Sequence, residues 1–398
     1  MNTAAAGIPY WLDEPYEPRP ALEGHVEAEA CVIGAGVAGL SCALALARAG
    51  VDTVVLERFT VAGGASGRNG GFLLAGVAPF YWDARERYGH DQARRMYAAT
   101  LDAQRQMYAL AGELGAGDSM RRVGLLRASA SEAEAENVAR QVAALREDGF
   151  PAELLERGEL PPAVGRFALN GCLTEHDGAL QPARWIRTLA RGAEAAGARI
   201  HDGTAVEGPV PAPGEGELRS AAGASVAARH VVVASDGALP ALVPEYAPRV
   251  RPRRLHMTAT APLSERLTER LVYYRWGYEY FQQRPDRRLL IGGFSDVDGD
   301  GSYTDSDAGS PAIWERIERH IRDELGVDAV ITHRWAGVVG YSDDALPYVG
   351  EVPGRPGLWV AGGYSGHGNV PGFLSGRLIA EAITGMGDGK PPLFPADR

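Results

Sequence analysis

Residues 28–58 read AEACVIGAGVAGLSCALALARAGVDTVVLER, and the architecture of the chain is inferred outward from them. A short apolar run comes first, followed by G-x-G-x-x-G, an Ala- and Leu-rich stretch without proline, and a second apolar run. The two apolar runs, 30–33 and 51–56, predict buried strands. The stretch between them, 40–49, predicts a helix that ends at Gly50. This order of strand, glycine turn, helix and strand is typical of a dinucleotide-binding unit.

The glycines of the first turn each have a physical role in such a unit. Gly34 permits the tight turn, Gly36 lets the backbone approach a pyrophosphate, and Gly39 lets the helix pack on the strand. The amides that follow, at Val37 and Ala38, belong to a helix N-terminus, whose unpaired N–H groups and positive dipole end favour phosphates.

An acid stands at the end of the second predicted strand. Glu57 follows Gly39 by 18 residues, which is near the spacing of the carboxylate that accepts the ribose hydroxyls. A carboxylate here would repel a 2′-phosphate, so NADP is disfavoured, and Arg58 adjoins the same predicted ribose site. A glycine turn in an ordinary strand–helix–strand unit is the alternative interpretation.

A second glycine-rich segment follows directly. Five glycines occur among residues 63–71, together with Ser66, Arg68 and Asn69. Such a loop brings bare backbone close to a neighbour, and its position after the ribose acid favours contact with the cofactor over a flexible surface loop. Ser66 is suited to a phosphate, and Arg68 and Asn69 to the reactive ring or the substrate.

The last third of the chain contains another glycine turn that enters a helix. A predicted strand at 357–361 leads into GGYSGHGNVPG at 362–372, and a helix is predicted at 373–384. A plain NAD dehydrogenase needs one such turn, whereas two fit FAD. The first holds the pyrophosphate, and the second points its helix dipole at the flavin edge where negative charge grows on reduction.

Composition excludes several classes of protein. The 398 residues carry a formal net charge of −11 without a basic block, so a nucleic-acid partner is not expected. We expect no secretory signal and no membrane span, and therefore a cytoplasmic protein. Three cysteines, Cys31, Cys42 and Cys172, predict neither a disulfide framework nor zinc. The acidic loop at 297–308 lacks the terminal Glu of a calcium site, so no metal is expected.

The remaining patterns predict both helical and antiparallel structure. Residues 1–23 are expected to form an extended arm on the protein's own surface, and a β-hairpin is predicted around a turn at 284–287. Further helices are predicted at 83–115, 131–148, 183–197 and 313–325, and further strands at 123–128, 198–206 and 231–234.

With these motifs, the chain resembles the D-amino-acid-oxidase superfamily of FAD-dependent amine oxidoreductases, and within it the gamma-glutamylputrescine-oxidase-like branch. The resemblance rests on VIGAGVAGL, GASGRNGG, VVVASDG, the W-x-G…LPYVG stretch from Trp335, and GGYSGHGNVPG. It implies an α/β fold with an α+β insert, in which a discontinuous Rossmann-like FAD domain carries a substrate domain built on an antiparallel sheet. The implied division places 24–80, 164–241 and 332–390 in the FAD domain, and 81–163 and 242–331 in the substrate domain.

The resemblance also implies the chemistry and the residues. We expect oxidation of the C–N bond of an amine or an N-substituted amino acid to an imine, which water hydrolyses, with oxygen as electron acceptor and hydrogen peroxide as product. No cysteine or histidine is placed to tether the flavin, except that His367 stays open, so non-covalent FAD is expected. The expected FAD contacts are Gly34, Gly36, Val37, Ala38, Gly39, Glu57, Arg58, Ala65, Ser66, Arg68, Asn69, Gly70, Gly71, Val206, Ser235, Gly237, Gly363, Tyr364, Gly366, His367, Gly368, Asn369 and Val370. The candidates at the reaction centre are His367, Arg68, Tyr280 and Trp335.

The substrate is expected to be a cationic amine. Glycine-oxidase-like relatives hold the substrate carboxylate with an arginine where this chain has Tyr341. The aromatic residues at positions 274, 276, 278 and 280 alternate, so one continuous strand would place all four rings on one face, which attracts an ammonium group. The predicted substrate residues are Tyr274, Trp276, Tyr278, Tyr280 and Tyr341.

Several alternatives stay open at this point. One alternative is a D-amino-acid or glycine-type oxidase. In that case the aromatic residues only pack the sheet, and Arg68, Arg275 or Arg284 binds the substrate carboxylate. The protein would otherwise be a dehydrogenase that passes electrons to a protein acceptor, or a flavin-binding module without turnover. The pattern gives no oligomeric state.

Overall fold

The computed structural model describes residues 7–387, 389–390 and 392–398. In this part of the chain the strands are β1 (His25–Ile33), β2 (Thr53–Leu56), β3 (Phe72–Leu73), β4 (Met120–Arg122), β5 (Leu125–Ala128), β6 (Glu153–Glu156), β7 (Asn170–Thr174), β8 (Gly178–Leu180), β9 (Arg199–His201), β10 (Leu218–Arg219), β11 (Ser225–Val233), β12 (Val250–Pro262), β13 (Leu271–Tyr274), β14 (Glu279–Gln283), β15 (Arg288–Gly293), β16 (Ile331–Ser342), β17 (Tyr348–Glu351) and β18 (Leu358–Gly362). The α-helices are α1 (Val37–Arg48), α2 (Ala65–Arg68), α3 (Tyr81–Tyr88), α4 (His90–Glu113), α5 (Glu132–Glu147), α6 (Pro162–Gly165), α7 (Pro182–Ala195), α8 (Leu239–Leu242), α9 (Pro311–Asp323) and α10 (Asn369–Ile383).

The first sheet has the order β17-β18-β11-β1-β2-β9, with β10 beside β11. Strands β18, β11, β1, β2 and β9 are parallel, and a parallel sheet is normally covered on both faces. Alternate side chains accordingly enter different clusters: Val32 and Val55 pack with α1, α7 and α10, whereas Cys31 and Val54 face the other cluster. This is the nucleotide-binding half that the glycine motif predicts.

The second large sheet has the order β16-β12-β15-β14-β13-β5-β7-β6. Its pairings are antiparallel, except that β5 and β13 are parallel. One face packs on the amphipathic helix α9, with Phe281 and Ile291 against Ile313 and Ile317. The other face is turned toward the first sheet, and a small sheet, β3-β8-β4, completes the fold.

The fold class is confirmed, and several element boundaries are corrected. The helix predicted at 83–115 is two helices, because Gly89 has φ +87° and interrupts it. The strand predicted at 198–206 is shorter, at Arg199–His201. The predicted domain division stays a prediction; β7 and β16 pair within the second sheet, although that division assigns most of their residues to the FAD domain.

The N-terminal arm is more deeply packed than the sequence predicts. Residues 1–6 lie outside the described chain, but Trp11 is fully buried in the main core. Its indole Nε1 donates to the carbonyl of Asn69 at 2.7 Å, and its own carbonyl accepts a bond from Gln181. Further along, Tyr16 donates to Asp202 at 2.5 Å. The arm therefore lies on the surface for most of its length but is anchored in the core at Trp11.

Within the described residues, no helix combines the length and apolarity that crossing a membrane requires.

Candidate active site

The first glycine turn is shaped by close backbone approach. Gly34 has φ +108°, and a Cβ atom on Gly39 would lie 1.9 Å from the Gly34 carbonyl oxygen. Only glycine therefore lets α1 begin directly against β1. The N-cap residue, Gly36, has no side chain that could cap this helix. The Val37 amide donates instead to Ser66 Oγ at 2.9 Å. Ser66 of the second glycine loop therefore lies at the start of α1, and its role in phosphate binding stays a prediction.

The predicted ribose acid lies at the same edge of the sheet. Glu57 is 7% exposed, and its two carboxylate oxygens each accept one backbone N–H at 2.8 Å, from Ala35 and Phe59. Burial raises the pKa of Glu57, while the two N–H donors lower it. Each oxygen retains a lone pair for a ribose hydroxyl. Arg58 is exposed, with its guanidinium carbon 4.5 Å from the centre of the Phe59 ring.

Of the other predicted FAD contacts, Ser235 lies at this turn, whereas Val206 and Gly237 contact other parts of the protein. Ser235 lies beside Gly34, and its hydroxyl is buried without a hydrogen-bond partner among the described residues. Val206 pairs with Ser220 in an isolated bridge. Gly237 instead packs against β16, where a Cβ atom would lie 3.2 Å from Val338. The unpartnered hydroxyl of Ser235 is therefore the polar group here that a cofactor would satisfy.

The second glycine loop is tied to the start of α10 through two asparagines. The side-chain amides of Asn69 and Asn369 exchange hydrogen bonds at 3.2 Å. Asn69 also accepts the Gly71 amide, and Asn369 donates to the Phe72 carbonyl at 2.8 Å. Ala65 and Gly70 belong to the same loop and line the cavity described below. The two glycine-rich segments therefore form one rigid unit.

The loop before α10 is held by a buried carboxylate. Asp236 accepts the amides of Gly340 at 2.9 Å and Gly363 at 3.0 Å, so it joins β16 to this loop. Gly366 has φ +88°, and α10 begins after Gly368 without a side-chain cap. Its first-turn amides, including that of Val370, therefore face the cavity without a side-chain cap.

These features fit FAD. Helices α1 and α10 pack closely, since a Cβ atom on Gly376 would lie 2.1 Å from the Ala38 carbonyl oxygen, and Ser41 donates to the Phe373 carbonyl. Two helix N-termini therefore start side by side, one at the predicted pyrophosphate site and one at the cavity. The unpartnered hydroxyl of Ser235 and the chain of glycines supply polar groups and space for a long dinucleotide.

A cavity of about 460 Å³ lies between the glycine loops and the second sheet, within the usual size range of small-molecule sites. Its lining combines residues of both halves of the fold: Ala65, Arg68, Asn69, Gly70, Phe72, Leu74, Ala78, Pro79, Asp83, Arg87, Arg127, Arg253, Leu255, Met257, Tyr273, Trp276, Gly277, Tyr278, Tyr280, Gly293, Ser295, Gly337, Val339, Tyr341, Ser342, Ala345, Ser365, Gly366, His367, Gly368, Asn369, Val370 and Pro371.

The predicted aromatic face is corrected at one position. Trp276, Tyr278, Tyr280 and Tyr341 line the cavity, but Tyr274 does not. The strand is interrupted because residues 275–277 have φ values of +46°, +59° and +87°. Tyr274 is fully buried on the opposite face of the sheet, where its hydroxyl contacts His320 at 2.5 Å.

Tyr273 takes the place in the cavity that the alternation assigned to Tyr274. Its ring lies 5.5 Å from the Tyr280 ring and 6.1 Å from the His367 ring. Burial raises the pKa of Tyr273, Tyr280 and Tyr341, so all three hydroxyls are neutral at physiological pH.

Two of the four candidates for the reaction centre, Trp335 and Arg68, make their polar contacts with other protein groups. Trp335 is fully buried outside the cavity, and its Nε1 donates to the Arg68 carbonyl at 2.8 Å. The Arg68 side chain lines the cavity, but its guanidinium donates to the carbonyls of Gly63 and Ala336 and pairs with Asp307 at 3.0 Å. Trp335 therefore positions Arg68, and Arg68 fixes the loop rather than offering a free charge.

His367 is the histidine in the cavity lining. Burial lowers its pKa to about 3, and the positive charge of Arg127 acts in the same direction. The Ser365 carbonyl opposes this weakly, although neither ring nitrogen makes a hydrogen bond of normal geometry within the described chain. His367 is therefore a neutral imidazole with free nitrogen atoms beside the predicted flavin edge.

The arginines proposed as alternative carboxylate clamps are engaged elsewhere. Arg275 pairs with Glu279 and with Asp296, and Arg284 lies near the rings of Tyr10 and Trp11 rather than in the cavity.

Two other arginines, which the sequence patterns do not single out, line the cavity instead. The Arg127 guanidinium carbon lies 4.7 Å from the centre of the Phe80 ring and 5.6 Å from that of Tyr273. Arg253 is 8% exposed and stacks on Tyr341 at 4.9 Å, with one hydrogen bond to Ser302. Neither guanidinium has a carboxylate partner among the described residues.

Among the described residues, the cavity lining has no free carboxylate to balance these charges. Asp83 is the acidic residue in its lining, and it pairs with Arg87 at 2.7 Å. Asp343 accepts a bond from Tyr348, and Asp344 pairs with Arg398. The acids behind Tyr341 therefore point to other partners, and the lining carries net positive charge.

Comparison with known proteins agrees with this geometry. The family model described as FAD dependent oxidoreductase matches residues 29–382. The probable oxidoreductase OrdL of Rhizobium meliloti is 30% identical over 383 residues, which cover 92% of this chain and 85% of that protein. The gamma-glutamylputrescine oxidoreductase of Escherichia coli is 29% identical, with 93% and 87% covered. The crystal structure of glycine oxidase from Geobacillus kaustophilus has the same fold, with a TM-score of 0.77, 23% identity, and 93% and 98% covered.

Proposed function

Because the chain belongs to the family of FAD dependent oxidoreductases, we propose that it oxidises the C–N bond of an amine that also carries a carboxylate, as an amino acid or an N-substituted amino acid does. Bound FAD supplies the oxidant, since it accepts a hydride equivalent from the carbon next to nitrogen. The substrate loses that hydride and the amine proton, and a C=N bond forms. Water then adds to the imine carbon, the C–N bond breaks, and a carbonyl compound and an amine leave.

The pair of unpaired guanidiniums supports a carboxylate in the substrate. Arg127 is half-buried and Arg253 is buried, and neither has an acidic partner among the described residues. A charge that is removed from water without a counterion is costly. A substrate carboxylate would supply that counterion, and an arginine binds it through two parallel hydrogen bonds. A cationic amine alone would add a further positive charge. We therefore replace the cationic amine predicted from Tyr341 with a carboxylated amine.

The tyrosines retain the role that the aromatic pattern suggested, with one exchange of residue. Tyr273, Tyr280 and Tyr341 line the same cavity as the two arginines, with Tyr273 beside Arg127 and Tyr341 beside Arg253. An amine buried among neutral rings is desolvated, and desolvation lowers the pKa of its ammonium form. The cavity therefore favours the neutral amine that hydride transfer requires. Names of relatives include both an amine, gamma-glutamylputrescine, and an amino acid, glycine, so family membership alone leaves this choice open.

We further propose that oxygen accepts the electrons and yields hydrogen peroxide. The competing proposal is a dehydrogenase that delivers electrons to a protein acceptor. Peroxide formation under air at the rate of substrate consumption supports the oxidase. Activity with an artificial dye but without peroxide supports the dehydrogenase.

Non-covalent attachment of FAD is proposed from the lining. All three cysteines are buried, free and outside the cavity lining, and burial raises the pKa of Cys172 to about 12. A buried thiol of this kind is a poor nucleophile. Acid precipitation of the yellow protein should leave the flavin in the supernatant, and a yellow pellet would show a covalent bond, with His367 as the first residue to test.

The direct test of the proposed reaction is anaerobic flavin reduction. Alkylamines, amino acids of both hands and N-methyl amino acids are mixed with the holoprotein, and loss of flavin absorbance is followed. We expect reduction by compounds that carry both an amine and a carboxylate. Reduction by alkylamines alone would contradict the substrate class, and reduction by no compound would favour a binding module.

A further inference from the structure

We infer that the substrate carries two carboxylates, one for Arg127 and one for Arg253, with the amine held between them by the tyrosines. This inference rests on the proposed function, because it specifies the carboxylated amine proposed above. It depends on where the two guanidiniums lie in the sheet.

The two arginines come from well-separated strands of the second sheet. Arg127 is on β5 and Arg253 is on β12, and β13, β14 and β15 lie between these strands. Four strand spacings of about 4.8 Å separate the two backbones by roughly 19 Å. The two guanidiniums therefore enter the cavity from strands on either side of β13, β14 and β15, which favours a separate carboxylate for each over one carboxylate shared by both.

Aromatic and small residues fill the interval. Strand register places Arg127, Tyr273, Tyr280, Gly292 and Met257 in one row across five neighbouring strands. The row therefore begins with a cation and continues with two rings, and the side chains of Met257 and Tyr280 fill the space above Gly292. A Cβ atom on Gly292 would lie 2.2 Å from the Met257 sulfur, so a larger side chain is excluded there.

The second cation, Arg253, lies on β12, the last strand of this row. Arg253 lies on the same strand as Met257, four residues away, so both side chains share one face. Its guanidinium stacks on Tyr341, whose hydroxyl lies 3.3 Å from the position a Cβ atom would take on Gly366. Arg127 lines the same cavity as His367, and its positive charge lowers the pKa of that imidazole. Both arginines therefore line the cavity together with the loop that precedes α10.

The charges of this cavity match an amino diacid better than a simple amino acid. A single carboxylate would leave one of the two cavity guanidiniums without a counterion, whereas two carboxylates neutralise both. The class includes secondary amines with a carboxylate on each arm, such as iminodiacetate, and amino acids with a side-chain carboxylate, such as glutamate. The two members differ in the spacing of their carboxylates, and the test below separates them.

Binding of inert analogues tests the inference on the unmodified holoprotein. Oxydiacetate has the shape of iminodiacetate but an ether in place of the amine, and methoxyacetate is its monoacid counterpart. Each is titrated against the flavin absorption spectrum. We expect oxydiacetate or glutarate, the matching analogue of glutamate, to bind at least tenfold more tightly than the corresponding monoacid. Equal binding of diacid and monoacid would overturn the inference.

Variants then assign each carboxylate to its arginine. Arg127→Met and Arg253→Met remove the charge and keep the length of the side chain, and Arg251→Met is the control, since Arg251 is exposed and outside the cavity lining. We expect each cavity variant to lower kcat/KM for iminodiacetate or glutamate about a hundredfold, whereas only one of them has such an effect on N-methylglycine or norvaline. Unchanged FAD absorbance shows that the variants are folded.

The outcomes separate this inference from the proposed function. If both variants impair monoacids and diacids equally, or if monoacids are preferred, the diacid inference is wrong and the carboxylated-amine function stands. If neither kind of acid reduces the flavin but alkylamines do, the proposed function itself is wrong.

Discussion

Glu57 carries the prediction about cofactor affinity. Its oxygens lie at the end of β2, already aligned by the Ala35 and Phe59 amides, and a charged acceptor binds a hydroxyl more strongly than a neutral one. Glu57→Gln should weaken FAD binding by roughly 1–2 kcal/mol, or about 5- to 30-fold in Kd. Titration of the apoprotein with FAD measures this. Glu29→Gln, which changes an exposed acid on β1, is the matched control, and an equal Kd for wild type and Glu57→Gln would contradict the ribose assignment.

His367 carries the prediction about reaction rate. Its neutral imidazole is suited to donate one hydrogen bond to negative charge that develops on the flavin ring, but not to supply a positive charge. His367→Ala should therefore lower the rate of flavin reduction by roughly a hundredfold, the lower range for loss of one such donor, while FAD stays bound. Stopped-flow reduction measures the rate.

The pH dependence of that rate tests the same residue. Because the pKa of His367 is lowered to about 3, the imidazole stays neutral from pH 5 to 9 and should contribute no ionisation to the profile. Wild type and variant should show the same profile shape at different heights. An unchanged rate in the variant would mean that His367 only shapes the entry to α10.

The predicted cofactor residues follow from local sequence patterns, whereas the arginines of the cavity do not, for a physical reason. Glycine turns and the ribose acid are local patterns, set by the backbone next to them. Arg127 and Arg253 indicate a carboxylate site because neither has an acidic partner among the described residues. A missing counterion is visible only in the three-dimensional structure. The one available signal was a charged residue inside an apolar strand, as in Leu125–Ala128.

At the scale of elements, the N-terminal arm holds the second glycine loop through the hydrogen bond from Trp11 to the Asn69 carbonyl. Trp11→Phe removes the indole donor to the Asn69 carbonyl and keeps an aromatic ring in the core. We expect FAD affinity to fall by about 1 kcal/mol, or about fivefold in Kd, in a folded protein. Tyr16→Phe removes another hydrogen bond of the arm, to Asp202, and should leave FAD affinity unchanged. Equal effects of the two variants would show that general attachment of the arm, rather than the loop contact, matters.

The second sheet shows how far a strand pattern can be trusted. The predicted hairpin is confirmed, because a turn at 284–287 joins β14 to β15. The alternation before it failed, because Arg275, Trp276 and Gly277 all adopt positive φ and reset the phase of the strand. Tyr273 therefore faces the cavity and Tyr274 the opposite core. A glycine inside an aromatic strand pattern was the available warning.

At the scale of the whole molecule, the family and the fold class could be predicted because the first and last glycine motifs follow β1 and β18, two parallel strands of one sheet. The first glycine turn and the last are far apart in sequence, yet α1 and α10 pack together and start side by side. The cavity could not be predicted in the same way, because it lies between two sheets whose relative position no local pattern encodes.

The central claim is that the substrate is an amine that carries a carboxylate, and one matched pair tests it most directly. N-ethylglycine differs from diethylamine by a carboxylate in place of one methyl group, so kcat/KM for the two compounds isolates the contribution of that group. The account predicts that N-ethylglycine is preferred by tenfold or more, about 1.4 kcal/mol of transition-state stabilisation. An equal or higher kcat/KM for diethylamine would contradict it.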